Sequence, residues 1–254
     1  MSSNTYFKKC NILGVDIDVV TMKLLVDFIS TNLNSAKGKY ICVANVHTTV
    51  TANEDEYYNK IQNSSWITIP DGGPLSSYAR KHSFPECERT TGPDLLEEIL
   101  KISEENEFTH YFYGSTDETL EKLKSKISTQ YPKVKIVGTY SPPFRKLTAV
   151  EEQKIVNIIN SVNPDFIWIG LGAPKQEIFM FEHMNLFNGL MIGVGAAFDY
   201  KADNIKRAPV WMQKSNLEWV YRLLQSPKKL FKRYVMTNTK FILEIIKANI
   251  LKRN

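Results

Sequence analysis

Asp71 stands in the run Pro70-Asp71-Gly72-Gly73-Pro74, directly after the apolar segment Trp66–Ile69. A carboxylate there has two readings. Asp followed by Gly is a common turn, and an acid held beside a substrate hydroxyl is a general base. A second run, Gly170-Leu-Gly-Ala-Pro-Lys-Gln-Glu177, follows another apolar segment and opens a helical pattern. Its glycines let backbone approach a ligand closely. A helix N-terminus favours a phosphate or a polar sugar, and Lys175 and Gln176 add donors. The third glycine of the dinucleotide fingerprint is missing and Pro174 intervenes. Nucleotide binding and a plain strand-to-helix turn therefore both stay open. Arg207, Arg222, Lys228, Lys229, Lys232 and Arg233 carry charge that is either solvated, aimed at anionic lipid head groups, or clamped on a diphosphate.

Other chemical signals are weaker. Asp16-Ile17-Asp18 spells the acid-x-acid pattern of metal-dependent sugar transfer, but it sits at the first strand and reads as a chance match. His47, His82, His110 and His183 have no metal-ligand spacing. His47 alone falls near a strand end. No GxSxG, Walker A or kinase motif is present.

Short apolar runs alternating with helical patterns position these groups. Strands are expected at Asn11–Val15, Tyr40–Ala44, Trp66–Ile69, Tyr111–Tyr113, Val134–Thr139, Phe166–Gly170 and Leu190–Gly193. Helices are expected at Thr21–Asn32, Thr48–Gln62, Asp94–Glu104, Asp117–Gln130, Ala149–Ser161 and Gln176–Asn185. The alternation predicts an α/β, Rossmann-like fold with a mostly parallel sheet flanked by helices. Ligands in such sheets sit at the C-terminal strand ends. Asn45, Asp71, Gly114, Gly170-Leu171-Gly172 and Gly193-Val194-Gly195 all follow strands and would share one rim. Beyond them, helices are expected at about Trp211–Leu224 and Pro227–Leu251, the latter with Ile242, Ile245, Ile246 and Ile250 at helical spacing. That pattern suits either a basic amphipathic membrane helix or a C-terminal helix packed on the core.

Charge divides the chain at the same place. Residues 206–254 hold twelve Lys/Arg against Glu218 and Glu244, while the preceding residues carry a net −5 within an overall +5. A mildly acidic body and a strongly basic tail point to a polyanionic partner. Aromatic and aliphatic residues between the charges favour a membrane surface over a nucleic acid. No apolar run is long enough to span a bilayer, and no secretory leader is evident at the N-terminus. Three scattered cysteines give no disulfide framework or CxxC pair, which fits a reducing cytoplasm. Two units are expected: residues 1–205 as an α/β catalytic domain and 206–254 as a basic helical docking appendage.

Taken together, Ala44-Asn45, Pro70-Asp71-Gly72, Glu88-Arg89, Gly92-Pro93-Asp94, Gly138-Thr-Tyr-Ser-Pro-Pro-Phe144, Gly170–Glu177, Gly193-Val-Gly-Ala-Ala-Phe-Asp199, Arg207-Ala-Pro209 and Glu218-Trp-Val-Tyr-Arg222 before Pro227 resemble the WecG/TagA/CpsF glycosyltransferases, also called glycosyltransferase family 26. The resemblance runs from about Asn11 to Tyr234. It implies an inverting transfer, without metal or other cofactor, of N-acetylmannosamine or a related hexose. The donor would be a UDP-sugar and the acceptor a polyprenyl-diphosphate-linked sugar at the inner face of the cell membrane. The product would feed teichoic acid, capsule, enterobacterial common antigen or exopolysaccharide. It further implies Asp71 as the base and Arg222 as a catalytic cation. Asn45, Arg89, Gly172, Gln176, Glu177, Arg207, Lys229, Lys232 and Arg233 would contact substrates. No nucleic acid is expected as partner, and self-association off the membrane is left open. Val43, His47 and Asp203 depart from the usual Thr, acid and Gly, and Lys229 and Lys232 from the usual Arg. These changes suggest a different donor or acceptor sugar. The alternatives are a non-catalytic nucleotide-sugar binder and a nucleic-acid-binding protein with a basic tail. A dinucleotide-dependent dehydrogenase is the weakest, because its glycine fingerprint is absent.

Overall fold

In the computed structural model, which describes residues 6–251, the chain opens with the strands β1 (Lys9–Ile12) and β2 (Val15–Asp18). They pair antiparallel. The single strand expected at Asn11–Val15 is thus a hairpin. Leu13 and Gly14 form its turn at φ 51° and 84°, and an apolar Leu at the turn hid the reversal. Then follow α1 (Met22–Ala36), β3 (Tyr40–Ala44), α2 (Val46–Glu54), α3 (Glu56–Asn63), β4 (Ile67–Pro70), α4 (Gly73–Lys81), α5 (Gly92–Asn106), β5 (Thr109–Gly114), α6 (Asp117–Gln130) and β6 (Lys135–Tyr140). The rest are α7 (Ala149–Ser161), β7 (Phe166–Gly170), α8 (Lys175–Glu182), β8 (Leu190–Gly193), α9 (Ala197–Lys201), α10 (Val210–Lys214), α11 (Glu218–Gln225) and α12 (Pro227–Leu251).

Strands β3 to β8 form one parallel six-stranded sheet in the order β4-β3-β8-β7-β5-β6. Both faces are covered, as an all-parallel sheet requires. On one face, Leu25 and Ile29 of α1, Leu95 and Ile99 of α5 and Leu123 of α6 pack on Ile41, Phe112, Trp168 and Ile192. On the other, Ile155 and Ile159 of α7 and Met180 of α8 pack on Tyr40, Tyr113, Ile167 and Met191. The β1–β2 hairpin, α2, α3, α4 and Phe241 of α12 build a third apolar cluster.

Two expected helices are broken in the structure, each for a local reason. The expected helix Thr48–Gln62 divides at Asp55, whose backbone is extended and whose side chain accepts from Tyr58 N as the N-cap of α3. A side-chain cap satisfies a donor that the helix start leaves open. The expected helix Trp211–Leu224 divides into α10 and α11 around Asn216, which stands at φ 58°. Asp203, where the resemblance has Gly, also stands at positive φ, 57°. That conformation explains the usual glycine.

Helix α12 runs as expected, and of its four isoleucines only Ile245 turns inward. Leu230, Phe241 and Ile245 pack on the body, whereas Ile242, Leu243, Ile246 and Ile250 are each more than half exposed. Lys240 pairs with Glu54 of α2 at 2.5 Å. Val210, Trp211, Leu217, Trp219, Leu224, Phe231, Val235 and Met236 are also exposed. Much of the exposed apolar surface thus sits among the basic residues beyond Lys206.

Candidate functional site at the strand ends

The rim is built by β3 and β4. Asn45 leaves β3 and caps α2: its Oδ1 accepts from His47 N at 3.0 Å and Thr48 N at 3.2 Å. That commits the oxygen and leaves the Nδ2 donors for a ligand. Asp71 leaves β4, and its backbone N donates to Ala44 O at 2.8 Å. Gly72 lies beside Asn45, where an added Cβ would make ordinary contact at 3.5 Å from the Asn45 Cα.

Arg89 holds the Asp71 loop from outside. Its Nε donates to Asp71 O at 2.8 Å and its Nη2 to Glu218 Oε2 of α11 at 2.5 Å. Arg207 reaches the same Glu218, with Nε 3.7 Å from Oε1. Arg207 also makes a two-pronged contact with Asp94 at the start of α5, whose second prong, Nη2 to Oδ2, is 3.2 Å. Arg222 lies one turn beyond Glu218 on α11. Its guanidinium sits 5.7 Å from the Tyr200 ring centroid, and Arg207 is 5.9 Å from the same ring. Among the described residues, no carboxylate lies within ion-pair distance of Arg222.

Burial pushes the Asp71 carboxyl up to about 6. Arg89 and Arg222 pull it down, while Glu218 and Asp94 push it up. A carboxylate with that proton affinity is a stronger base than an ordinary aspartate yet still ionised at neutral pH. The Tyr200 hydroxyl is buried beside this cluster without a hydrogen-bond partner. A cleft of about 230 Å³ adjoins it, lined by Pro93, Leu96, Glu97, Ala197, Tyr200, Lys201 and Arg207. A larger hollow, about 680 Å³, lies on the outer face of α7, away from the rim.

The glycine-rich turn after β7 contributes less surface than expected. Gly172 stands at φ 76° and a Cβ there would meet nothing within 4 Å, so the turn opens onto free space. Gln176 is buried: its Nε2 donates to Gly193 O at 3.2 Å and to Glu177 Oε1 at 2.8 Å. Glu177 is fully buried, and burial raises its carboxyl pKa. In this structure its carboxyl faces Gln176 and Tyr58 of α3, not open space.

The tail residues divide. Arg233 is half-buried and close enough to His47 to lower that imidazole's pKa, after burial as the main cause. Lys228 and Lys232 are exposed. The Lys229 side chain lies outside the described residues. Asp16-Ile17-Asp18 is structural, as expected of a chance match: Asp18 is buried in β2 and accepts from Thr68 N at 2.7 Å. Among the described residues, no three His, Cys, Asp or Glu side chains converge as a metal ligand set. His110 is likewise structural, with Nδ1 accepting from Trp168 Nε1 and Nε2 bonded to Ser103 Oγ, both at 3.0 Å. Asp94, Tyr200 and Glu218 were assigned no role from the sequence. Asp94 and Glu218 lie within quoted motifs and Tyr200 directly follows one, but a lone acid or aromatic on an amphipathic helix gives no signal of its own.

A parallel α/β sheet with a carboxylate of raised pKa, an unpaired guanidinium and polar donors at its C-terminal rim is suited to group transfer with an anionic leaving group. Residues 10–254 match the Glycosyl transferase WecG/TagA/CpsF family. The chain is 32% identical over 211 residues to an N-acetylglucosaminyldiphosphoundecaprenol N-acetyl-beta-D-mannosaminyltransferase of Bacillus subtilis (strain 168), covering 83% of this chain and 80% of that protein. It is 31% identical over 231 residues to a protein of the same name from Staphylococcus aureus (strain MW2), covering 90% and 88%. The chain therefore belongs to the WecG/TagA/CpsF glycosyltransferase family.

Proposed function

We propose that this glycosyltransferase moves N-acetylmannosamine, or a closely related hexose, from a UDP-sugar to the terminal sugar of a polyprenyl diphosphate with inversion at the anomeric carbon. The names of the two relatives support the acceptor class and the transferred sugar. The observation that carries the chemistry is the pairing of Asp71, partly buried and raised in pKa, with Arg222, a guanidinium that has no carboxylate within ion-pair distance among the described residues.

In this reading Asp71 takes the proton from the acceptor hydroxyl. The freed oxygen forms a bond to the anomeric carbon as the bond from that carbon to the donor diphosphate breaks. The electron pair leaves on the β-phosphate oxygen, and Arg222 meets the developing charge. A preorganised cation at a developing charge is the strongest device available to an enzyme for such a step. Asn45 Nδ2 is suited to donate to a sugar or phosphate oxygen. Arg89 and Arg207 are already engaged by acids and shape the site instead.

We assign residues 206–254 as a membrane-docking appendage. The exposed Ile242, Leu243, Ile246 and Ile250, together with the basic side chains near them, support an anionic membrane surface as partner. No helix among the described residues is long and apolar enough to cross a membrane, which fits peripheral attachment.

The test is UDP release with a short-chain polyprenyl diphosphate bearing N-acetylglucosamine and a panel of UDP-sugars, with and without EDTA, for parent and Asp71→Asn. Turnover with one donor, indifferent to EDTA and lost in the variant, is expected. Turnover retained in the variant rejects Asp71 as base, and absence of UDP binding rejects the donor.

A further inference from the structure

Glu218 is a buried acid, 9% exposed, at the first position of α11. Its two oxygens face two cations from different parts of the chain. Oε2 takes Arg89 Nη2 at 2.5 Å, and Oε1 lies 3.7 Å from Arg207 Nε. Arg89 in turn donates through Nε to the backbone carbonyl of Asp71. Glu218 thus stands one residue removed from the loop that carries the Asp71 carboxyl. On its own helix, Arg222 is four residues on, and residues at that spacing share a face. The face that Glu218 turns toward Arg89 is therefore the face from which Arg222 projects.

We propose that Glu218 is a positioning residue: by holding Arg89 and Arg207 together it seats α11 on the body and aims Arg222 at Asp71. This rests on the reading of Asp71 and Arg222 given above. Two further contacts fit it. Arg89 Nη1 donates to Gln213 O at 3.4 Å, which ties the end of α10 to the same guanidinium. Asp94 grips the far side of Arg207, so Arg207 is held from two directions. Both Arg side chains are planar forks suited to such bridging, which Lys is not.

The charged and titratable groups facing Asp71 are Arg89 from the loop before α5, Asp94 from α5, Tyr200 from α9, and Glu218 and Arg222 from α11. Removing the Glu218 charge deletes a group that opposes ionisation of Asp71 and leaves Arg89 uncompensated beside it. Both effects lower the Asp71 midpoint, and they outweigh the opposite effect of a misplaced Arg222, which acts on Asp71 more weakly than Glu218 does. Loss of fold alone would reduce the amount of active protein without moving that midpoint.

The experiment compares parent, Glu218→Gln, Arg222→Ala and the double variant. It follows the Asp71 side-chain carbon by NMR against pH, and turnover by UDP release. Expected are an Asp71 midpoint in Glu218→Gln below the parent's value of about 6, and kcat lower by about 10²-fold, the size of effect that misplacing a catalytic group produces. Arg222→Ala should cost far less in the Glu218→Gln background than in the parent, because the interaction it removes is already lost. An unmoved midpoint, or an equal Arg222→Ala penalty in both backgrounds, overturns the proposal. If Glu218→Gln does not fold, Glu218→Asp, which keeps the charge but shortens its reach, is read by the same double-variant comparison. Absence of turnover in the parent would sink the transferase reading alone, since the NMR midpoint still decides the role of Glu218.

Discussion

Arg222→Gln separates the two things this guanidinium does. In the proposed mechanism, as a cation with no acid partner among the described residues, it would meet leaving-group charge. Removing one preorganised donor of that kind costs about 10²–10³ in kcat, or roughly 3–4 kcal/mol of transition-state stabilisation. As a positive charge near Asp71, it also holds the carboxyl down against burial. With a midpoint of about 6, roughly a tenth of Asp71 is ionised at pH 5, so the parent's rate there should be about a tenth of its plateau. In Arg222→Gln the acid limb should move to higher pH, because the charge that favoured ionisation is gone. The assay is kcat/KM for UDP release from pH 4.5 to 8.5, fitted for plateau and acid midpoint. A plateau lowered 10²-fold or more together with an alkaline shift is expected. A plateau within tenfold of the parent, or a limb displaced toward acid, would refute the reasoning. Glu218→Gln should move the limb the opposite way, so the two variants bracket the parent.

Three other outcomes follow from particular contacts. Asp18 is buried and raised to about 6. Its folded form holds a proton that its unfolded form has lost between about pH 4 and 6, so stability falls as pH rises through that window. Asp18→Asn, whose Oδ1 still accepts from Thr68 N, should stabilise the protein at pH 7.5 by up to about 3 kcal/mol, less the Lys9 contact at 3.9 Å. The gain should vanish below pH 4, and thermal unfolding at both pH values with no gain at pH 7.5 would reject the account. In Gly73→Ala, the new Cβ would fall 1.9 Å from Asn216 Oδ1 and 2.7 Å from its Cβ. The α10–α11 junction must then lift from the Asp71 loop, with kcat down about 10²-fold and little change in thermal midpoint; near-parent turnover would show that the junction does not matter. Replacing Ile242, Leu243, Ile246 and Ile250 by Ser should abolish co-sedimentation with vesicles containing anionic lipid and leave UDP binding intact, whereas unchanged sedimentation would remove α12 as the docking face.

The strands of the sheet were legible because buried parallel strands are continuous apolar runs, and Phe166–Gly170 and Leu190–Gly193 were delimited to the residue. Asn45 and Asp71 were legible as rim residues because they end such runs. The hairpin at Leu13-Gly14 was not, since the reversal is carried by backbone conformation at an apolar residue. For α12 the isoleucine spacing left a membrane face and a face packed on the core both open. The body, however, offers α2 and its apolar cluster as the surface to match, and Phe241 and Ile245 fit it. Glu218 was opaque for a related reason. An acid on an amphipathic helix reads as solvated until the two arginines that bury it, 129 and 11 positions away in the chain, are brought to it.

The arrangement of charge at the rim has its own logic. Guanidinium groups partly buried without counter-charge are costly, and removing one partner from a buried pair is strongly destabilising. A site that uses arginines must therefore neutralise most of them before substrate arrives. Here Asp94 and Glu218 neutralise Arg207 and Arg89, and those pairs tie α5, the Asp71 loop and α11 together. Arg222 is the exception: Tyr200 supplies a ring face, which stabilises a cation without cancelling its charge. The acids thus do structural work that permits one cation to stay uncommitted. An additional acid placed near Arg222, for example by Tyr200→Glu, should stabilise the empty protein while lowering turnover, because the cation proposed to meet the diphosphate would then be paired within the fold.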